Sequence, residues 1–107
     1  MKCKRCCSSV DISGIELKNM QKEIHNLVIL DVRSPQEYEE GHITGSTLLP
    51  NYEVIKKVGN VLPDKKTFIV VYCQNGGRSR KTACILKQMG YLNAFNLKGG
   101  LEEYLKQ

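Results

Sequence analysis

The feature that most constrains the fold is a short run of β-branched and aromatic residues that leads directly into a glycine pair and then a helix. Residues 67–72 read Thr-Phe-Ile-Val-Val-Tyr, which favours a buried strand. Residues 78–89 then predict a helix that ends before Gly90, with one apolar stripe made of Thr82, Ile85, Leu86 and Met89. A strand, a tight loop and a helix in this order favour a parallel sheet.

The rest of the chain repeats this alternation. We expect strands at 27–32, 47–49 and 94–97, helices at 15–24, 34–40 and 51–58, and a final helical turn after Gly99 and Gly100. Ser13 and Ser34 are predicted N-caps, and Asn51 is a third. The fold class is therefore α/β, with a parallel β-sheet flanked by helices on both faces and ligands bound beyond the carboxyl ends of the strands.

Length and charge limit the domain count and the partners. The 107 residues suit one domain, expected over 10–107, after a flexible cysteine-containing tail at 1–9. The net charge of +5 is spread over scattered Lys and Arg residues, which favours small anionic substrates over nucleic acid. No apolar run reaches bilayer length and the polar start lacks a secretory signal, so we expect a cytoplasmic monomer with no membrane partner.

The segment that carries chemistry is the loop after residue 72, which reads Cys73-Gln74-Asn75-Gly76-Gly77-Arg78-Ser79. Its glycines allow a tight curl in which backbone N–H groups point inward as an anion-binding nest, and the helix dipole adds to the same field. Such a field, with Arg78, should lower the pKa of the Cys73 thiol and stabilise a thiolate. The alternative is that Cys73 is a small buried residue at a strand end.

The spacing Cys73-x-x-Gly76-x-Arg78-Ser79 resembles the active-site loop of single-domain rhodaneses. The stretches at 31–33, 37–38, 41–43, 90–91 and 99–100 resemble other landmarks of that family. This resemblance implies a rhodanese-like domain in which Cys73 takes sulfane sulfur from a donor such as thiosulfate and passes it to a thiol or protein acceptor. It implies that Cys73 and Arg78 are catalytic and that the substrate-binding residues are Gln74, Asn75, Gly76, Gly77 and Ser79. Nothing in the sequence requires a metal or a cofactor, so we expect neither.

Two other functions stay open at this point. One is a sulfur carrier or sensor that presents a persulfide to a protein partner with little turnover. The other is a cysteine phosphatase, although the family's phosphatase relatives have five residues between cysteine and arginine where this chain has four.

The remaining candidate residues favour structural roles. Asp31 and Arg33 are expected to serve local ion pairing, with Arg33 paired to Glu37 at helical spacing. The family resemblance implies that His42 organises a turn, and His25, after a helix end, is assigned no function. Cys84 is expected to be a packing residue, because free cysteine is often buried. Cys3, Cys6 and Cys7 could bind a soft metal, accept sulfur or form a disulfide, and no metal is assigned to them.

Overall fold

The computed structural model describes residues 10–106, which contain five strands and five helices. The strands are β1 (Asp11–Ile12), β2 (Val28–Asp31), β3 (Thr47–Leu48), β4 (Ile69–Tyr72) and β5 (Ala94–Leu97). The helices are α1 (Gly14–Glu23), α2 (Pro35–Glu40), α3 (Asn51–Val61), α4 (Gly77–Gln88) and α5 (Gly100–Leu105).

The strands form one parallel sheet in the order β1-β5-β4-β2-β3. The central strand β4 pairs with β2 through Val71 and Leu30 and with β5 through Val71 and Asn96. A central strand of a parallel sheet is covered on both faces, and all four residues of β4 are buried. The predicted α/β class and parallel sheet are confirmed.

Helices cover both faces of the sheet, and the side chains of β4 alternate between them. Val71 and Cys73 belong to the core cluster that also contains Val54 of α3 and Leu86 of α4. Tyr72 belongs to the opposite cluster, with residues of α1 and α5 such as Leu17 and Leu101. This alternation, which follows from the period of two in a strand, directs the side chain of residue 73 toward α4.

Two of the three predicted helix caps are confirmed. Ser13 and Ser34 each accept a hydrogen bond from the third helical residue and complete a capping box with Glu16 and Glu37. The prediction for Asn51 was wrong, because Asn51 is the first helical residue and the preceding proline supplies no side-chain cap. The short strand β1 was not predicted, since two residues are too few to show a period.

Several predicted bounds shift by one to three residues. The strand predicted at 67–72 begins at Ile69, because Thr67 closes a turn with its N–H and hydroxyl on the carbonyl of Asp64, at 3.1 and 2.7 Å. Helix α3 continues three residues beyond the predicted end, to Val61. The expected tail at 1–9 lies outside the described residues. The roles given above for Cys3, Cys6 and Cys7 therefore stay predictions.

Candidate active site

Cys73 lies immediately after β4, at the carboxyl edge of the sheet, and no part of the residue is exposed. The loop that follows curls around its side chain. Gly76 makes this curl possible with φ +92°, a left-handed conformation that other residues rarely adopt. Gly77 then begins α4, so the sulfur sits below the N-terminus of a twelve-residue helix.

Three groups that can donate hydrogen bonds lie within 3.5 Å of the sulfur of Cys73. The amide of Gly76 lies 3.1 Å from Sγ, the amide of Ser79 lies 3.5 Å away, and the Ser79 hydroxyl lies 3.4 Å away. Burial raises the pKa of the thiol, but the hydrogen bonds from Ser79, Gly76 and Asn75 together outweigh burial and leave the pKa below its ordinary value. A lowered thiol pKa is typical of a reactive cysteine.

The other loop residues are held by their own partners. The amide oxygen of Asn75 accepts the Gly77 N–H at 3.0 Å and lies 3.9 Å from the sulfur of Cys73. Arg78 is about half exposed, and its guanidinium lies 3.7 Å from the carboxylate of Glu37. The loop therefore surrounds the sulfur with backbone and amide groups, while Arg78 lies toward solvent next to α2.

Helix α5 closes the loop from the outside through an approach that only glycine permits. The carbonyls of Cys73 and Gln74 accept the N–H groups of Leu101 and Glu102 at 2.9 and 3.1 Å. A Cβ on Gly100, whose φ is +63°, would lie 2.6 Å from both of these carbonyl oxygens. The glycine pair, noted in the sequence only as a family landmark, therefore brings a helix into hydrogen-bond contact with the loop.

Arg33 connects the loop to the neighbouring strand. Its guanidinium makes a bidentate pair with Asp31, in which Nη2 lies 2.7 Å from Oδ2, and donates to the carbonyl of Gly41 and to the side chain of Gln74. The predicted Arg33–Glu37 pair was wrong, because the guanidinium turns back to the buried carboxylate of its own strand end. The structural interpretation of Asp31 and Arg33 fits these contacts, and Gln74 is the loop residue they hold.

Two clefts flank the loop. One, of about 320 Å³, has the side chains of Arg33, His42, Gln74 and Leu105 in its walls. The other, of about 500 Å³, is lined by Asn75 and by residues that include Lys98 and Glu103. A third cavity, of about 510 Å³, opens beside Val28 and Phe68 at the amino ends of β2 and β4, away from Cys73.

The other predicted candidates lie outside this arrangement. His42 stacks on Tyr38 with 3.7 Å between ring centroids, and its Nδ1 lies 2.8 Å from the Tyr38 carbonyl, as expected for a residue that organises a turn. Cys84 is fully buried in α4. Within residues 10–106 no group of three or more His, Cys, Asp or Glu side chains could hold a metal ion, and no helix is long and apolar enough to span a membrane.

Sequence reasoning missed one polar group that contacts the site. Asn96 of β5 is 2% exposed, and its side-chain oxygen accepts the Ser79 hydroxyl at 2.6 Å. The available signal was a lone Asn inside the apolar strand Ala94–Leu97. A buried polar side chain requires a partner, so its presence in a buried strand pointed to one nearby.

Comparison with known proteins places this geometry in a family. The sequence model of the rhodanese-like domain matches residues 14–107. This chain belongs to the rhodanese-like family. Within it, the thiosulfate sulfurtransferase GlpE of Pseudomonas entomophila is 39% identical over 75 residues, which are 70% of this chain and 67% of that protein. The thiosulfate sulfurtransferase PspE of Escherichia coli is 36% identical over 74 residues, 69% of this chain and 70% of that protein.

Solved structures share this fold. SSP1007 from Staphylococcus saprophyticus superposes with a TM-score of 0.79 at 30% identity and covers 89% of this chain and 92% of its own. The human single-domain sulfurtransferase TSTD1 superposes with a TM-score of 0.78 at 23% identity, covering 92% of this chain and 97% of its own. The second likeness shows the shared fold.

Proposed function

We propose that this rhodanese-like chain is a sulfurtransferase that moves sulfane sulfur through a persulfide on Cys73. The observation that carries the proposal is the set of donors converging on one sulfur atom, the amides of Gly76 and Ser79 and the Ser79 hydroxyl, in a loop under a helix N-terminus. Donors in this arrangement stabilise the anionic form of the sulfur. The relatives named thiosulfate sulfurtransferase support the same activity.

The reaction has two displacements. In the first, the Cys73 thiolate attacks the outer sulfur of a donor such as thiosulfate, the sulfur–sulfur bond of the donor breaks, and sulfite leaves with its electron pair. The negative charge then resides on the outer sulfur of the persulfide. In the second, a thiophilic acceptor attacks that outer sulfur, the persulfide bond breaks, and the Cys73 thiolate is regenerated as the leaving group.

The loop residues take distinct parts in this scheme. Gly76 and Ser79 stabilise the inner sulfur, and Gly77 and Asn75 lie at the outer rim, where the transferred sulfur would enter. Arg78 attracts and orients the anionic donor from its exposed position on the first turn of α4. Gln74, held by Arg33, forms the wall that the loop shares with the smaller cleft, which would receive the acceptor.

We also propose a donor, an acceptor and a cellular compartment for this reaction. The donor is a small anion such as thiosulfate, the acceptor is a thiol or a protein, and neither metal nor cofactor takes part. A free nucleophilic thiol persists in a reducing compartment, so we assign the protein to the cytoplasm. We propose a monomer as the working unit.

Intact mass measurement of the reduced protein after exposure to thiosulfate, followed by peptide mapping, tests the mechanism. We expect a gain of one sulfur atom on the peptide that contains Cys73. Cys73→Ser should abolish the gain, and the matched control Cys84→Ser should keep it, because Cys84 is buried in α4 away from the loop. Normal loading of Cys73→Ser would disprove the proposal.

The second candidate is a carrier that presents the persulfide to a protein partner with little turnover. Complete burial of Cys73 favours it, because a sulfur enclosed by its loop is shielded from small acceptors. Steady-state turnover with cyanide separates the two. Turnover many times the enzyme concentration supports the enzyme, and loading without turnover supports the carrier.

A further inference from the structure

The hydroxyl of Ser79 has one proton and lies between two acceptors. The side-chain oxygen of Asn96 is 2.6 Å from Oγ, and the sulfur of Cys73 is 3.4 Å from it. A hydroxyl can donate to only one of them at a time. The 2.6 Å contact has the length of a strong O–H···O bond, and an amide oxygen is a better acceptor than a thiol sulfur, which is only a weak one. We therefore infer that the proton points to Asn96 while Cys73 is a neutral thiol.

The direction of this bond is fixed by a third residue. Asn96 donates from Nδ2 to the carboxylate of Asp11 at 2.9 Å, which leaves its oxygen, and not its NH₂ group, facing Ser79. Asp11 and Asn96 are register partners on β1 and β5, so the sheet holds the two side chains together. The other carboxylate oxygen of Asp11 lies 3.7 Å from the guanidinium of Arg80.

A buried amide at the position of Asn96 adds little to the stability of the fold. The side chain lies on the sheet face covered by α4, where the neighbouring position on the same face is Ala94. A buried amide loses its hydration and gains little over an apolar residue of the same shape, even when every group is hydrogen-bonded. The hydrogen bonds from Asp11 through Asn96 and Ser79 lead to the sulfur of Cys73. We therefore look for the role of Asn96 at that sulfur.

We propose that Asn96, oriented by Asp11, is a positioning residue that withholds the Ser79 proton from Cys73 and so controls how readily the thiol ionises. When the thiol loses its proton to solvent, Ser79 keeps its own proton and turns it from Asn96 to the thiolate. The buried oxygen of Asn96 then loses its donor. That loss opposes ionisation, whereas the loop amides favour it.

This opposition suits a group that must both attack and leave. A thiol with a very low pKa is almost fully ionised but is a poor nucleophile, and a thiol with a high pKa is a poor leaving group when the acceptor attacks the persulfide. The optimum lies near the ambient pH. The inference rests on the proposed role of Cys73 and adds the residues that adjust its reactivity.

Other charged groups surround the loop on every neighbouring element and do not change between the variants below. They include Asp31 of β2 and Arg33 after it, Glu37 of α2, Arg78 and Arg80 of α4, Lys98 after β5, and Glu102 and Glu103 of α5. A shift that follows substitution of Asn96 alone therefore reports on the Ser79 proton.

The test is a pH titration of the thiolate by its ultraviolet absorbance, with the spectrum of Cys73→Ser subtracted. This titration requires no sulfur transfer. A negative result therefore contradicts the role of Asn96 without contradicting the proposed sulfurtransferase activity. Asn96→Leu keeps the branched shape but removes the acceptor, and we expect the midpoint to fall, with roughly three- to tenfold more thiolate below the midpoint. Asn96→Asp keeps the acceptor and adds negative charge, and we expect the midpoint to rise.

Opposite shifts distinguish this role from simple support of the loop, which would move both variants in the same direction. Asn93→Leu is the matched control, because Asn93 precedes the same strand and donates to the Lys66 carbonyl at the far end. It should leave the midpoint unchanged. An unchanged or raised midpoint in folded Asn96→Leu would overturn the inference.

If Asn96→Leu does not fold, Asp11→Ala carries the test. Without Asp11 the Asn96 amide is free to turn its NH₂ group toward Ser79, which then donates to Cys73. The midpoint should fall, and the fall should persist at high salt, where the field of a partly exposed carboxylate is screened. A fall that disappears in salt, or no fall, would overturn the inference.

Discussion

The close approach of α5 to the loop makes substitution of Gly100 a sharp test of how Cys73 is held. In Gly100→Ala the new Cβ would lie 2.6 Å from the carbonyl oxygens of Cys73 and Gln74, which are backbone atoms with no flexible end to move. The left-handed φ of +63° adds strain of about 1–2 kcal/mol. Moving α5 away also weakens the two hydrogen bonds to these carbonyls, at about 1 kcal/mol each. We expect a loss of roughly 3–4 kcal/mol in the free energy of unfolding.

Two other glycines separate strain from collision. Gly45 also has a left-handed φ, of +87°, but a Cβ there meets nothing within 4 Å, so Gly45→Ala should cost only about 1–2 kcal/mol. Gly59 lies inside α3 with open space around it, and Gly59→Ala should stabilise the protein by up to about 1 kcal/mol. Urea unfolding followed by circular dichroism measures all three changes.

The same variants report on the site. Gly100→Ala should also slow sulfur loading of Cys73, because the displaced carbonyl belongs to the residue that carries the sulfur. Gly45→Ala and Gly59→Ala should load at the normal rate. If Gly100→Ala costs no more stability than Gly45→Ala and loads normally, contact between α5 and the loop is not what holds the residue in place.

Two further predictions concern charge. Because the pKa of Cys73 is lowered in the folded protein, the thiolate contributes stability that is present above the ordinary thiol pKa of about 8.5 and is lost as pH falls through the folded-state value. The unfolding free energy of the wild type minus that of Cys73→Ser should therefore rise with pH across that window, and a flat difference would contradict the lowered pKa. Arg78→Ala should weaken thiosulfate loading several-fold while changing stability by less than about 1 kcal/mol, because its pair with Glu37 is partly exposed. Arg78→Lys is the matched control for charge, and unchanged loading kinetics in the alanine variant would count against a role in donor binding.

The sequence predicted those parts of the fold that depend on neighbours along the chain. The capping boxes at Ser13 and Ser34 involve residues three apart, so a local pattern is sufficient to find them. The placement of Cys73 at the end of a buried strand follows in the same way from the run of residues before it and the glycines after it. Both kinds of prediction agree with the structure because no distant contact has to be known.

The errors arose where a distant or buried partner competes with a local one. Arg33 and Glu37 have the spacing of a helical ion pair, but Arg33 precedes α2 and pairs with the fully buried carboxylate of Asp31. Glu37 caps its helix through Ser34 and then faces Arg78, 41 positions further along the chain. Sequence spacing therefore indicates which ion pairs can form, and the burial of the charged groups determines which of them form.

The residues that complete the site come together only through the order of the strands. Asp11 and Asn96 are 85 positions apart and become neighbours because β1 joins the sheet beside β5, while Ser79 reaches Asn96 because α4 crosses over that side of the sheet. No periodic pattern encodes strand order, and β1 is too short to show any pattern at all. A lone Asn inside a buried strand was still a usable signal, because a buried amide must have a partner. The strand order then supplies that partner, and in this chain it leads from the edge of the sheet to the sulfur of Cys73.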